Sequence, residues 1–220
     1  MTAKKRLYPD SRVELTRFGE KYYDIQIDIS TFGIYRSFIK KAVRAMNIRP
    51  GDKILDLGCG TGRNDCLMAK YLEEPGGITG LDISDIMQEH FGRKCRRYQN
   101  VNFIKKRIDQ PFYLDEKYDK VFISFVIHGF PQDVRQIIIQ NAVTHLKKGG
   151  TFNILDYSEF DINSIPFYHR YLFNSIEGKC KYAYDFIKKD WKKILQEYGF
   201  TSFKENYFIH KYVRLLTAYR

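Results

Sequence analysis

Apolar residues recur three and four apart through the first fifty positions: Val13, Phe18, Tyr22 and Tyr23, then Ile34, Tyr35, Phe38, Ile39, Val43 and Met46. That period predicts helix over residues 11–47, and the break at Ser30-Thr31-Phe32-Gly33 divides it in two. After the turn Arg49-Pro50-Gly51-Asp52 the pattern changes. Short apolar runs at 53–57, 78–82, 101–105, 119–125 and 151–156 read as buried strands. Helical stretches separate them, at about 63–73, from Ser84 to about 98, and from Asp133 to Leu146. Ser84 suits an N-cap, and Lys147-Lys148-Gly149-Gly150 is a stop that sets cations at the negative end of a helix dipole. Such alternation builds right-handed strand–helix–strand units in an open, mainly parallel sheet. The tail departs from it. Residues 158–182 are aromatic and irregular, and a helix over about 184–198 ends at Gly199. Two alternating segments, 200–208 and 210–219, then follow without a crossover helix and predict an antiparallel hairpin at the sheet edge. One domain over 1–220 results: a helical cap (1–48), a core (49–157), a lid insertion (158–182) and a C-terminal helix with hairpin (183–220).

The chemistry concentrates in Asp56-Leu57-Gly58-Cys59-Gly60-Thr61-Gly62, behind a strand and ahead of a helix. Glycines at alternate positions let the backbone approach a ligand where a Cβ would collide. The carboxylate ahead of them makes the loop a poor cradle for phosphate and suits a cationic or amine-bearing ligand. Asp82 ends the next run, where it would accept hydrogen bonds from a ribose diol. Its other reading is a cap for the helix from Ser84. The loop also differs from the G-x-G-x-x-G of dinucleotide dehydrogenases, because Arg63 stands where that pattern has Gly or Ala.

These features resemble the class I S-adenosylmethionine-dependent methyltransferases, nearest the ubiquinone and menaquinone biosynthesis type, over about residues 18–200. The matching segments are Tyr22-Tyr23-Asp24, Lys53 to Gly62, Gly80-Leu81-Asp82-Ile83-Ser84, Phe125-Val126-Ile127-His128 and Leu146 to Gly150. The resemblance implies an α/β, Rossmann-like fold: a seven-stranded, mainly parallel sheet with an antiparallel edge strand, helices on both faces and an N-terminal helical cap. It implies S-adenosyl-L-methionine as cofactor. Asp56 and the backbone of Gly58, Cys59, Gly60, Thr61 and Gly62 would hold the methionyl end, and Asp82 the ribose hydroxyls. Asp109 would meet the adenine amino group, with Ile108 and Ile83 on the ring faces. Ser124 and Phe125 would lie beneath the reactive methyl, and Tyr23 completes the set. Asp109 also reads as an ordinary loop acid beside Pro111. Cys59 occupies a place where the family has small or apolar residues, so no nucleophilic role is expected of it.

A sulfonium already activates its methyl group, so the protein must align a nucleophile, exclude water and in some cases remove a proton. His128, just after the fourth strand, is the leading base, with Tyr157 and Glu159 behind it. The competing reading has His128 orienting its loop or capping the helix near Asp133. Tyr168 and His169 sit in the insertion 160–173, whose aromatics, with Tyr22, Tyr23 and Phe32, would close an apolar lid over the crevice or complete core packing.

Charge changes this picture in one respect. The net charge is +11, yet residues 51–85 hold 3 basic and 7 acidic groups, so the glycine loop is an acidic spot on a basic chain. Residues 1–50 carry 11 basic and 5 acidic groups, and residues 86–107 carry 7 and 1. The basic surface reads as a solvated periphery, as a contact for anionic membrane, or as an RNA footprint at Arg93, Lys94, Arg96, Arg97, Lys105, Lys106 and Arg107. The four cysteines, 59, 66, 95 and 180, match no zinc spacing, so no metal is expected and reduced thiols in a cytoplasmic protein are. No secretory leader is expected, because no apolar stretch follows the charges of Lys4-Lys5-Arg6. The leading reading is transfer of a methyl group to a small hydrophobic or aromatic, quinone-like acceptor. The alternatives are a phospholipid headgroup amine, met at the inner membrane face, then RNA, then a cofactor-binding protein without catalysis. No Asn-Pro-Pro-Tyr-type amine-methylating motif is present, and neither the acceptor nor the oligomeric state has a signature in the chain.

Overall fold

The computed structural model describes residues 34–178 and 180–220, with Tyr8, Ser11 and Asp24. The first predicted helix and Val13, Phe18, Tyr22, Tyr23 and Phe32 lie outside the described residues. Helix α1 (Ile34–Ala45) buries Phe38, Ile39, Ala42 and Val43 while Arg36, Lys40, Lys41 and Arg44 face water, the i, i+1, i+4, i+5 stripe of a helix laid on a sheet.

Seven strands follow: β1 (Lys53–Leu57), β2 (Gly77–Asp82), β3 (Val101–Lys105), β4 (Tyr118–Ser124), β5 (Leu146–Tyr157), β6 (Ser202–Phe208) and β7 (Val213–Tyr219). Their spatial order is β3-β2-β1-β4-β5-β7-β6. The first five are parallel, and β7 runs antiparallel to both β5 and β6. The predicted hairpin thus closes the sheet, with β6 outermost and the antiparallel strand one place inside it. Order reverses at β1, which pairs with β2 on one side and β4 on the other. A doubly wound sheet binds its ligand at such a switch point, beyond the strand C-termini.

Alternation along the strands feeds two cores. Ile54, Phe122, Leu155 and Leu215 face α1, α2 (Arg63–Met68) and α3 (Asp85–Cys95). Leu55, Val121, Ile123, Phe152 and Leu216 face α4 (Gln132–His145), α5 (Phe167–Glu177), α6 (Lys181–Phe186) and α7 (Trp191–Gln196). Each fully buried Leu, Ile or Phe contributes about 1.5–3 kcal/mol relative to exposure, so both layers are strongly held.

Ser84 caps α3 as expected, its Oγ accepting from the Met87 N–H at 3.2 Å. Other expectations need correction. The 63–73 helix stops at Met68 and tightens into a 3-10 turn, Ala69–Tyr71. Strand β5 starts at Leu146 instead of residue 151, because a bulge opposite Tyr118 and Lys120 takes up the Lys147–Gly150 stretch, with Gly149 at φ 78°. The insertion is not wholly irregular, since it carries α5. The single helix over 184–198 is two, α6 and α7. Asp190 starts α7 by accepting from the Lys193 N–H at 3.0 Å, and the Trp191 indole bonds back to the Phe186 carbonyl at 3.0 Å. Cys66 and Cys95 are paired in a disulfide joining α2 to α3, Cα to Cα 5.7 Å, where reduced thiols were expected. Only spatial proximity reveals that pair, since 29 residues separate its members. Among the described residues no helix is long and apolar enough to cross a membrane.

Candidate functional site

The glycine loop leaves the tip of β1 where the sheet order reverses. The N–H groups of Gly58 and Cys59 reach the Leu81 carbonyl at 2.8 and 3.0 Å, tying the loop to β2. Gly62 has φ 73°, and a Cβ there would meet Phe91 at 2.6 Å, so only glycine lets α3 approach. Gly60 is also left-handed at φ 54°, yet a Cβ on it would meet nothing within 4 Å. Its exposed face borders open space at the mouth of the crevice. Thr61 is buried and donates to Asp24 at 3.0 Å, which also pairs with Lys94.

Three carboxylates surround this loop. Asp82, at the tip of β2, accepts from Gly60 N–H at 3.0 Å through one oxygen and from Ile83 and Ser84 N–H at 2.7 and 3.0 Å through the other. It therefore shapes the loop and supports the start of α3, while Oδ2 keeps one unused lone pair. Asp56 is buried, and among the described residues its Oδ1 has no N–H or hydroxyl donor, its carboxyl being hydrogen-bonded to that of Asp65. Asp65, which the sequence reading did not single out, is fully buried one turn into α2, and neither of its oxygens has a conventional donor. Burial pushes Asp56 well above the usual carboxylate range, and the neighbouring Asp65 charge adds to this. Burial likewise raises Asp65, to about 7, and Asp82 in part, against the pull of its three backbone donors. The helical reading of 63–73 could have pointed to Asp65, because it falls on the loop side of the first turn. Burial and the three acids also push the Cys59 thiol up, which agrees with the absence of a nucleophilic role.

Asp56 and Asp65, buried and hydrogen-bonded to one another, and Asp82 with one free lone pair lie beside an open glycine face, and this acidic set fits the cationic, hydroxyl-bearing S-adenosylmethionine. Ile83 is 43% exposed and offers an open apolar surface near the Asp82 carboxylate. Ile108 is buried in the core, its carbonyl held by the Asn141 amide at 3.0 Å. Asp109 accepts from Arg107 Nε at 3.0 Å and from the Tyr8 hydroxyl at 2.6 Å, so both its oxygens already have donors. Contact with an adenine amino group would share or displace them.

At the tip of β4, Ser124 Oγ accepts from the Asn64 amide at 3.3 Å. Phe125 follows in the left-handed region at φ 52°, a conformation costing a non-glycine residue about 1–3 kcal/mol that only a determined surrounding maintains. Its N–H is anchored to the Leu155 carbonyl at 2.9 Å, and its ring is walled by Tyr35, Phe38 and Tyr157.

Beyond Phe125 lies a buried polar cluster. His128 sits in a 3-10 turn with Nδ1 2.8 Å from Asp156 Oδ1 and Nε2 3.7 Å from Glu177 Oε1. Burial lowers its pKa, but the charge and hydrogen bond of Asp156, with the charge of Glu177, outweigh it, and the net direction is up. Tyr157 donates to Glu177 Oε1 at 2.9 Å, and Glu177 Oε2 is buried without a partner. Arg135, fully buried, donates to the carbonyls of Ile127, His128 and Tyr182 and to Asp185, locking the His128 turn against α6. Asp156, Glu177 and Arg135 were missed because only the folded chain brings them to His128. Glu159 is occupied elsewhere, bonded to Arg214 and to the Trp191 N–H. Tyr168 is 56% exposed on the outer side of α5 and His169 bonds Tyr212 at 2.8 Å, so neither joins this cluster.

Of the seven cations at 93–107, Lys94, Lys105 and Arg107 pair with Asp24, Asp85 and Asp109, which weakens that strip as a nucleic-acid footprint. A cavity of about 180 Å³ lined by Arg49, Asp52, Asp119 and Lys120 lies at the opposite, N-terminal end of the parallel strands, away from the crevice. Among the described residues no group of His, Cys, Asp and Glu could hold a metal ion.

Residues 54–150 match the family model described as a methyltransferase domain. The chain is 30% identical over 141 residues to the ubiquinone/menaquinone biosynthesis C-methyltransferase of Shewanella pealeana, covering 62% of this chain and 55% of that protein. It thus spans just over half the length of that relative. It is 26% identical over 196 residues to the demethylmenaquinone methyltransferase of Staphylococcus aureus, covering 82% and 80%. In fold it is similar to a SAM-dependent methyltransferase from Aquifex aeolicus, with a TM-score of 0.59 at 17% identity over 82% of this chain and 88% of that one. Residues 54–150 thus match a methyltransferase domain, and the sheet shows the fold shared with the S-adenosylmethionine-dependent methyltransferase of Aquifex aeolicus.

Proposed function

We propose that this protein transfers the methyl group of S-adenosylmethionine to a small hydrophobic or aromatic, quinone-like acceptor by in-line displacement. The observation that carries the reading is the set of buried carboxylates around an open glycine loop at the sheet's switch point, facing an aromatic wall at the tip of β4. The relatives named as quinone-biosynthesis methyltransferases support the acceptor class. In this reading residues 49–157 are the cofactor-binding core and 158–182 cover the acceptor side.

When bound, the cofactor supplies a methyl group already activated by its sulfonium. The chain supplies position and environment. Asp56 and Asp65 balance positive charge at the methionyl end, Asp82 holds the ribose, and Ile83 lies against the adenine. Phe125 and its aromatic neighbours keep water from the methyl, which matters because alignment and dryness supply several kcal/mol of such a barrier. His128, held by Asp156, takes the proton of an acidic acceptor. The direct test is transfer of labelled methyl groups to a panel of quinols, phenols and amines. Labelling of a quinol or phenol is expected, and labelling of amines alone would overturn the acceptor assignment.

Two further results follow from the titrating groups. Positive charge beside Asp56 and Asp65 favours their ionised forms, so cofactor binding should release protons, and affinity should climb as pH rises through about 7. Calorimetry in phosphate and in Tris measures that release, and identical observed heats in the two buffers would refute it. A base acts only when unprotonated, and His128 titrates above its ordinary value. Turnover should therefore rise with pH through a point above about 6.5. His128→Gln should remove that limb and cut kcat by about a hundredfold, with cofactor affinity unchanged.

A further inference from the structure

A surface helix normally turns its apolar arc to the core, but α5 does the reverse. Its core side contributes Phe173 and Glu177. Its outer side contributes Phe167, Tyr168, Tyr171, Leu172 and Ile176, which are 74, 56, 75, 52 and 38% exposed. The tip of the β6–β7 hairpin extends this patch, with Ile209 40% exposed. The two elements are joined through His169, whose ring lies 5.0 Å from that of His210 and whose Nδ1 bonds Tyr212. An apolar patch this concentrated marks a surface that something covers.

Charge identifies the occupant. Exposed Arg170 flanks one edge of the helical arc, and exposed Lys211 supplies the cation at the other, where the His169 and His210 rings meet. The only carboxylate on α5 is Glu177, which faces inward, and residues 207–213 have none. A second copy seated here would bring the same cations against one another on a chain of net charge +11, with no acid in the patch to offset them. A bilayer surface with anionic headgroups satisfies both parts: aromatic and aliphatic side chains enter the headgroup boundary and the flanking cations meet lipid phosphates.

We propose that the outer face of α5, with the β6–β7 hairpin tip, docks the protein on anionic membrane surfaces. This stands apart from methyl transfer and from the basic N-terminal stretch, because it names a different surface. Seating α5 on a bilayer would set its inner residues, Phe173 and Glu177, between the lipid and the His128 cluster.

The test is flotation of the full chain with vesicles of phosphatidylcholine alone and with about a third phosphatidylglycerol. Co-flotation with the anionic vesicles and not the neutral ones is expected. The double substitution Tyr171→Ser with Leu172→Ser should lower partitioning about tenfold, and Arg170→Glu with Lys211→Glu should abolish it. All four side chains are exposed, so thermal melting and cofactor binding should not change, and that control separates this proposal from the catalytic one. No binding to anionic vesicles would overturn it, as would binding that survives both pairs of substitutions. A concentration-dependent dimer, seen by light scattering and lost in the Tyr171/Leu172 variant, would assign the patch to a second copy or protein partner instead.

Discussion

Replacing Asp82 by alanine is expected to weaken S-adenosylmethionine binding by about a hundredfold or more. A charge-assisted bond from a ribose hydroxyl to this carboxylate is worth about 1.5–3 kcal/mol, and losing about 2.8 kcal/mol is a factor of a hundred. The same substitution strips acceptors from the N–H groups of Gly60, Ile83 and Ser84, so the loop itself should loosen. Asp82→Asn retains an acceptor for those N–H groups and discriminates the two effects. It should restore most of the thermal stability and only part of the affinity. Titration calorimetry with the demethylated product checks both variants, and wild-type affinity in Asp82→Ala would remove the ribose assignment.

The second large effect concerns stability. Arg135 is fully buried, donates to three backbone carbonyls, pairs with Asp185 at 2.7 Å and lies over the rings of Phe186 and Trp191. Methionine fills a similar volume and donates nothing. Arg135→Met should leave the carbonyls of Ile127, His128 and Tyr182 without this donor and cost about 3 kcal/mol, roughly 10 °C in melting temperature for a chain of this size. Because the guanidinium fixes the His128 turn, activity should fall further than the folded fraction accounts for. A melting temperature within about 2 °C of wild type would show that water or Asp185 compensates for it.

The parallel core was legible because local pattern and global fold agree there. Strand runs, the Ser84 cap and the glycine loop each depend on a few adjacent residues, and all but the start of β5 fall where the pattern placed them. The misreadings share a cause. Whether β5 starts at Leu146 or at residue 151 depends on a bulge against β4, and whether 184–198 is one helix or two depends on Trp191 stacking back on Phe186. Both are contacts with other parts of the chain. The acidic side of the site was half legible: Asp56 and Asp82 flank the glycine motif in sequence, whereas Asp65 had only its place in the first turn of the predicted helix to mark it, and its burial comes from the fold. The polar cluster was almost wholly hidden beyond His128, since Arg135, Asp156 and Glu177 come from three separate elements. The aromatic insertion was read as lid or as core packing, and the structure divides it between an inward-packed part and an exposed outer face. Phe160 and Phe173 pack inward, while Phe167, Tyr168 and Tyr171 stand in solvent.

The reversal of strand order at β1 separates two kinds of structural inheritance. In the proposed reading, donor-holding groups come from the tips of β1 and β2 with their following helices, whereas the side facing the acceptor is walled by the β4 tip and by a segment inserted after β5. Descendants of such a scaffold are free to exchange that inserted segment, and with it the molecule they modify, while the donor grip passes on untouched. Divergence among relatives should therefore accumulate downstream of residue 157 sooner than between 54 and 110.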